Sequence, residues 1–230
     1  MEELAKLEEN IGITFKNKDL LRQSLVHRSY LNEHPDFELD HNERLEFLGD
    51  AVLEIIVTEY LFVNYPDKPE GELTNWRASL VNSSMLSQVA QEINLEDHLY
   101  LSKGEAKDKN SKARQYILAN AVEAMIGSIY LDQDREAAES FVHAFMLSKL
   151  EHILENKLYL DAKSKFQEKA QEEYGITPHY KVLREYGPDH DKEFEVGVFL
   201  GEELVAKAKG TSKQEAQIQA AQNAIEEKGW

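Results

Sequence analysis

His41-Asn42-Glu43-Arg44-Leu45-Glu46-Phe47-Leu48-Gly49-Asp50-Ala51-Val52-Leu53 decides how the rest of this chain is read. Its acids at 43, 46 and 50 are spaced by three and then four residues, so they fall within about a 60° arc of one helix face. Glu54 extends the stripe. Leu45, Leu48, Val52, Ile55 and Ile56 take roughly the opposite side and predict a core-facing surface. A column of carboxylates repels itself unless a cation sits on it, and a hard divalent metal with oxygen ligands suits such a donor set. The plain alternative is a solvated helix face.

A second acidic segment lies at Ile117-Leu118-Ala119-Asn120-Ala121-Val122-Glu123-Ala124-Met125-Ile126-Gly127. Asn120 and Glu123 share one helix face, and the small Ala124 and Gly127 permit another helix to approach closely. Phe47 breaks the amphipathic pattern of the first segment. It lies about 40° from Glu43 on the helical wheel, beside the acids, and needs a dry place to go. That place is either a neighbouring helix of the same subunit or a pocket on a second copy.

Composition bounds the function. The chain has 230 residues, 42% hydrophobic and 30% charged, with a formal charge of −17 and no cysteine. No apolar run reaches the length of a membrane span, and disulfides and thiolate metal sites are excluded. The acidic, amphipathic N-terminus is unlike a signal peptide, so a cytoplasmic protein with no membrane partner is expected. Residues 1–157 carry 16 Lys+Arg against 29 Asp+Glu, and residues 158–230 carry 10 against 14. Such a balance opposes diffuse attraction to nucleic acid. Any polyanion must be held by local placement of cations.

The rhythm of the sequence changes near Asn156. Residues 1–156 read as a helical domain, with 3.6-residue apolar periodicity at 20–31, 43–63, 73–93, 114–131 and 135–154. Breaks fall at 66–71 and 102–112. Residues 157–160 read as a linker and 161–230 as a second domain. That domain is predicted as a helix from Ala162 to Tyr174 ended by Gly175, strands at Tyr180–Tyr186, Glu193–Leu200 and Leu204–Lys209, and a helix from Lys213 to Glu227. Ser212 and Glu215 form a capping box at the start of the last helix. In the helix of 162–174, Phe166, Ala170 and Tyr174 form a core stripe. Ser164, Gln167, Glu168 and Gln171 form a polar one, which is either simply solvated or suited to a shallow groove lined with hydroxyls.

The string 41–53 resembles the signature segment of the ribonuclease III family, the double-stranded-RNA endonucleases, and the order α-β-β-β-α resembles the double-stranded-RNA-binding domain. Together the resemblances cover the chain in the order shown by bacterial ribonuclease III. They imply a multidomain protein, an all-α endonuclease domain followed by the RNA-binding domain. They further imply Mg²⁺ (Mn²⁺ a substitute) held by Glu46, Asp50, the position of Asn120, and Glu123, with Asp50 and Glu123 catalytic. Asn120 stands where the family pattern has aspartate, and an uncharged amide oxygen there implies weaker metal affinity rather than lost chemistry. Glu43 and Glu70 match auxiliary acids near the cleavage centre, although Glu70 also reads as a plain loop carboxylate. The resemblance assigns Phe47 to a homodimer interface.

RNA contacts implied by the second domain are Ser164, Gln167 and Glu168, His190 between two strands, and Lys213 at the start of the last helix, where phosphates meet the positive helix end. The implied reaction is in-line attack of a metal-activated water on the scissile phosphate. Its products carry 5′-phosphate and 3′-hydroxyl ends with short 3′ overhangs. Expected roles are precursor rRNA processing and mRNA maturation or decay. His27 and His41 read as structural. Asn120, the sparse lysines and the acidic balance keep open a protein that binds duplex RNA without cleaving it, and a scaffold for protein partners is the third possibility.

Overall fold

The computed structural model describes residues 2–109, 111–188 and 192–230. The chain divides into two compact units, Met1–Asn156 and Lys157–Trp230. Helices of the first are α1 (Glu2–Ile11), α2 (Lys18–Ser24), α3 (Arg28–Glu33), α4 (Glu43–Asn64), α5 (Glu70–Val81), α6 (Ser83–Glu92), α7 (Lys112–Asp132), α8 (Arg135–Phe145) and α9 (Leu150–Glu155).

Three segments whose periodicity reads as continuous are broken, each for a local reason. Between α2 and α3, Leu25 and His27 bond to Tyr100 through the backbone (2.9 and 3.1 Å), and His27 then caps α3 by accepting from the Ser29 N–H. Asn82 divides 73–93. Its backbone is extended and its side chain accepts the Met85 N–H at 2.9 Å, so it ends α5 and starts α6. The segment 135–154 is interrupted after Phe145 by a tight turn over Leu147–Lys149.

Helices α4 and α7 form the axis of this unit. Gly49 of α4 faces Glu123 and Gly127 of α7, and a Cβ on Gly49 would collide with the Glu123 carbonyl oxygen. Reciprocally, a Cβ on Gly127 would collide with the carbonyl oxygen of Leu45. The two backbones therefore touch, which only glycine permits, at a cost of about 0.5–1 kcal/mol of helix propensity each. This contact turns α4 from the orientation expected from its wheel. Leu53 and Val57 are wholly buried together with Leu45, Val52 and Ile56, whereas Ile55, expected in the core, is 47% exposed. The acid stripe thus borders the packed seam instead of lying opposite it.

In the second unit, α10 (Ala162–Tyr174) precedes β1 (His179–Tyr186), β2 (Glu193–Leu200), β3 (Glu203–Gly210) and α11 (Lys213–Lys228). The strands form an antiparallel sheet in the order β1-β2-β3. Gly201, at positive φ, opens the two-residue turn between β2 and β3. Phe166 and Ala170 of α10 pack with Val198, Leu200, Ala220, Ala221, Ala224 and Ile225. Tyr174, expected on the same stripe, is half exposed, its ring 5.9 Å from that of Trp230. Asp161 caps α10 through the N–H groups of Lys163 and Ser164. Ser212 accepts the Glu215 N–H, and the Glu215 carboxylate accepts from the Thr211 N–H and hydroxyl, one residue earlier than a capping box usually has it. The segment read as a linker makes a turn, with Leu160 N–H donating to the Lys157 carbonyl and Lys157 at φ 52°.

Candidate functional site

One turn of α4 separates Glu46 from Asp50, and one turn of α7 separates Asn120 from Glu123. The Gly49–Gly127 contact sets these turns against each other. The electrostatics record the result. Burial, and then the neighbouring charges of Asp50 and Glu46, push the Glu123 carboxyl up from 4.5 to about 7. Glu46 is also raised, first by burial, then by Glu43 and Asp50, while a hydrogen bond from Asn120 pulls the other way and favours its ionised form. Glu46 and Asp50 of α4 thus act electrostatically on Glu123 of α7, and Asn120 of α7 on Glu46.

Their flanks are neutralised within the chain. Glu43 pairs with Arg28 (3.3 Å) and lies 3.8 Å from His41, and Glu54 pairs with Arg77 (3.1 Å). None of the ion pairs among the described residues involves Glu46, Asp50 or Glu123. A half-buried carboxylate raised by two others, with an amide side chain one turn along the same helix, is a donor set that fits a hard divalent cation. As the side chains are placed, no three His, Asp or Glu groups among the described residues close around a single point. Glu46, Asp50, Asn120 and Glu123, the four residues implied as metal ligands, stand on two backbone turns that touch at Gly49 and Gly127.

Other predicted site residues lie apart from this cluster. Glu70 begins α5, accepts from the Thr74 hydroxyl at 3.0 Å, and lines a cavity of about 510 Å³ with Leu61, Phe62, Tyr65, Leu73 and Arg77. Phe47 is 82% exposed, so its ring is not packed into the core of the described residues. His27 caps α3, with burial holding its pKa below the ordinary value, and His41 sits beside Asp40 and Glu43.

On the second unit, Gln167 and Glu168 are exposed, with Lys157 4.0 Å from Glu168. The Ser164 hydroxyl is engaged by Asp161 at 2.8 Å. Lys213 is exposed but lies 3.4 Å from Glu185 of β1 and over the Phe194 ring. Lys207 and Lys209 pair with Glu195 and Glu193. His190 lies outside the described residues. Sequence reasoning missed Gly49, whose smallness repeats that of Gly127, and Lys163, whose ammonium bonds Gln217 and lies over Tyr180.

A helical unit with carboxylates gathered at a glycine seam, followed by an α-β-β-β-α unit, has the architecture of a nuclease domain joined to a duplex-RNA-binding domain. Comparison with known proteins agrees. Residues 17–150 match the Ribonuclease-III-like family, and residues 162–228 match the double-stranded RNA binding motif. The chain is 44% identical to Ribonuclease 3 of Carboxydothermus hydrogenoformans, over 98% of this chain and 95% of that one. It is 43% identical to Ribonuclease 3 of Borreliella burgdorferi, over 97% and 90%. Two crystal structures of the Campylobacter jejuni ribonuclease III nuclease domain, each 36% identical, superpose with TM-scores of 0.56 and 0.54. They cover 65% and 62% of this chain and 97% and 95% of their own, and the second is described as flexible in a region involved in dimer formation. This chain belongs to the ribonuclease III family and is an endoribonuclease. No helix among its described residues is long and apolar enough to cross a membrane.

Proposed function

We propose that the chain works as a homodimer that requires Mg²⁺, with Mn²⁺ as a substitute, and hydrolyses double-stranded RNA to products with 5′-phosphate and 3′-hydroxyl ends and short 3′ overhangs. The observation that carries this reading is the electrostatic influence of Asp50 and Glu46 on Glu123 across the Gly49–Gly127 seam, with none of the three in an ion pair among the described residues. Those three carboxylates and the amide oxygen of Asn120 would hold the ion. When bound, a divalent ion supplies an acidified water and offsets charge developing at the phosphate.

The chain's own residues set the conditions. Asp50 is exposed, so its carboxylate is open to solvent. Asn120 holds Glu46 towards its ionised form. Glu123 carries a proton up to about pH 7 and gives it up on loading, so metal binding releases protons and strengthens with pH. Asn120 brings no charge, so a higher Mg²⁺ requirement follows than with aspartate.

Phe47 supports the dimer. A phenyl ring 82% exposed beside the acids matches an apolar-walled cavity of about 510 Å³ between α4 and α5. Phe47 of one copy entering that cavity of the other, and the reverse, makes a two-fold contact with Glu70 at its edge. Two sites then face one duplex and cut one strand each. Gln167, Glu168, Ser164, His190 and Lys213 are proposed to hold the duplex by shape, through 2′-hydroxyls and phosphates. Cytoplasmic precursor rRNA and structured mRNA are the proposed substrates.

Labelled duplex incubated with the protein across a wide Mg²⁺ range tests the reaction. Staggered cuts bearing 5′-phosphates are expected, and Glu123→Gln should bind duplex without cutting it. Intact RNA at every metal concentration, despite demonstrated binding, would instead establish a non-cleaving duplex-binding protein.

A further inference from the structure

Helix α7 shows little of itself to solvent. From Arg114 to Ile129 its residues are buried or partly buried, with Tyr116 the single exception. Tyr116 is 48% exposed, and among the described residues its hydroxyl has no hydrogen bond and its ring no aromatic or cationic partner. Single exposed apolar side chains are ordinary on a protein surface. What distinguishes this one is its place.

Tyr116 precedes Asn120 by four residues and Glu123 by seven, and the three fall within about a 60° arc of the helix. Gly127 continues the same row, but there the α4 backbone at Leu45 and Gly49 lies against it. The row is therefore closed at its Gly127 end and open towards the start of α7. Tyr116 stands on the open side, about 6 Å along the helix axis from Asn120. Its chemistry suits a polyanion that must approach carboxylates. A phenol adds a hydrogen-bond donor without adding charge, whereas a cation at this place would compete with a metal for Glu46, Asp50 and Glu123.

We propose that Tyr116 is a substrate-contacting residue of the nuclease unit, its hydroxyl donating to a non-bridging oxygen of a phosphate beside the one that is cut. The assignment rests on the reading of Glu46, Asp50, Asn120 and Glu123 as the cleavage site. With α4 across the Gly127 end, a strand that lies along the row and presents its scissile phosphate at Asn120 and Glu123 passes over Tyr116.

The test compares full-length wild type with Tyr116→Phe on a labelled duplex at saturating Mg²⁺. The variant loses only the hydroxyl, so KM should rise about three- to ten-fold with kcat unchanged. Its thermal unfolding and sedimentation should match wild type. Duplexes that each carry one uncharged methylphosphonate near the cut supply a readout that a merely structural role would not move. In wild type, one linkage beside the cut should raise KM to a similar extent, and in Tyr116→Phe the same linkage should have little further effect. A wild-type KM in Tyr116→Phe, or full additivity between the variant and every linkage, overturns the contact. A shift of Tyr116→Phe towards monomer also overturns it, because the ring would then belong to a subunit contact. If wild type leaves the duplex intact, the cleavage-site reading fails and takes this contact with it. If wild type cuts and Tyr116→Phe is indistinguishable from it, the contact alone fails.

Discussion

The two units treat charge in opposite ways. In the first, burial and neighbouring carboxylates raise Glu46 and Glu123, and none of the ion pairs among the described residues involves Glu46, Asp50 or Glu123, although Glu43 and Glu54 one turn away are paired with arginines. In the second, Lys207, Lys209 and Lys213 each lie within 4 Å of a strand glutamate. One surface leaves its charge for an external partner. The other has already spent much of its charge on itself, which is how an RNA-binding motif sits in a chain of net charge −17.

The comparison breaks most severely at the seam. Gly49→Ala drives a methyl into the Glu123 carbonyl, so α4 and α7 must separate. We expect a loss of about 3 kcal/mol or more in the first unit, a fall in Tm of roughly 6–12 °C, and loss of cleavage. Calorimetry should show the transition of the second unit in place.

Glu123→Gln attacks the charge alone. Cleavage should fall on the order of 10²-fold or more, with duplex Kd unchanged in a binding titration. Its stability carries a sign. Because the folded carboxyl is raised from 4.5 to about 7, the folded chain takes up a proton in that window, and metal-free stability declines as pH rises through it. Gln removes that decline. The variant should therefore melt higher than wild type in metal-free buffer at pH 8, while added Mg²⁺ should raise Tm in wild type only.

Smaller effects sharpen the contrast. Asn120→Asp adds a fourth carboxylate, so the Mg²⁺ concentration for half-maximal cleavage should drop several-fold, and an unchanged requirement would refute the role given to Asn120. Phe47→Ala should shift sedimentation towards monomer without changing the far-ultraviolet spectrum. Smallest of all, Glu185→Gln should free Lys213 and tighten duplex binding by about two- to five-fold, the scale of an exposed pair.

The local elements were largely legible. The 3.6 period of α4 and α7, the Gly175 stop and the alternation of β2 are short-range patterns that packing leaves intact. Spacing put Glu46 and Asp50 on one helix face and Asn120 and Glu123 on another, and the family resemblance is what implied that the two faces act together. Phe47 announced its exposure by breaking the apolar arc. Other features depend on partners distant in sequence. Asn82 reads equally well inside a helix or as a cap, and only its bond to the Met85 N–H decides. The outward turn of Ile55 follows from the contact of Gly49 with α7, which the wheel of α4 alone does not contain. The pairing of Lys213 with Glu185 comes from strand placement, and Glu70 proved to line a cavity bordered by α4 and α5.

The most direct measurement is anomalous diffraction from crystals of the full-length protein soaked in Mn²⁺. The account requires an ion at the Gly49–Gly127 seam, with carboxylate oxygens of Glu46, Asp50 and Glu123 in its coordination shell. An ion held elsewhere, or a shell lacking those three carboxylates, would contradict it.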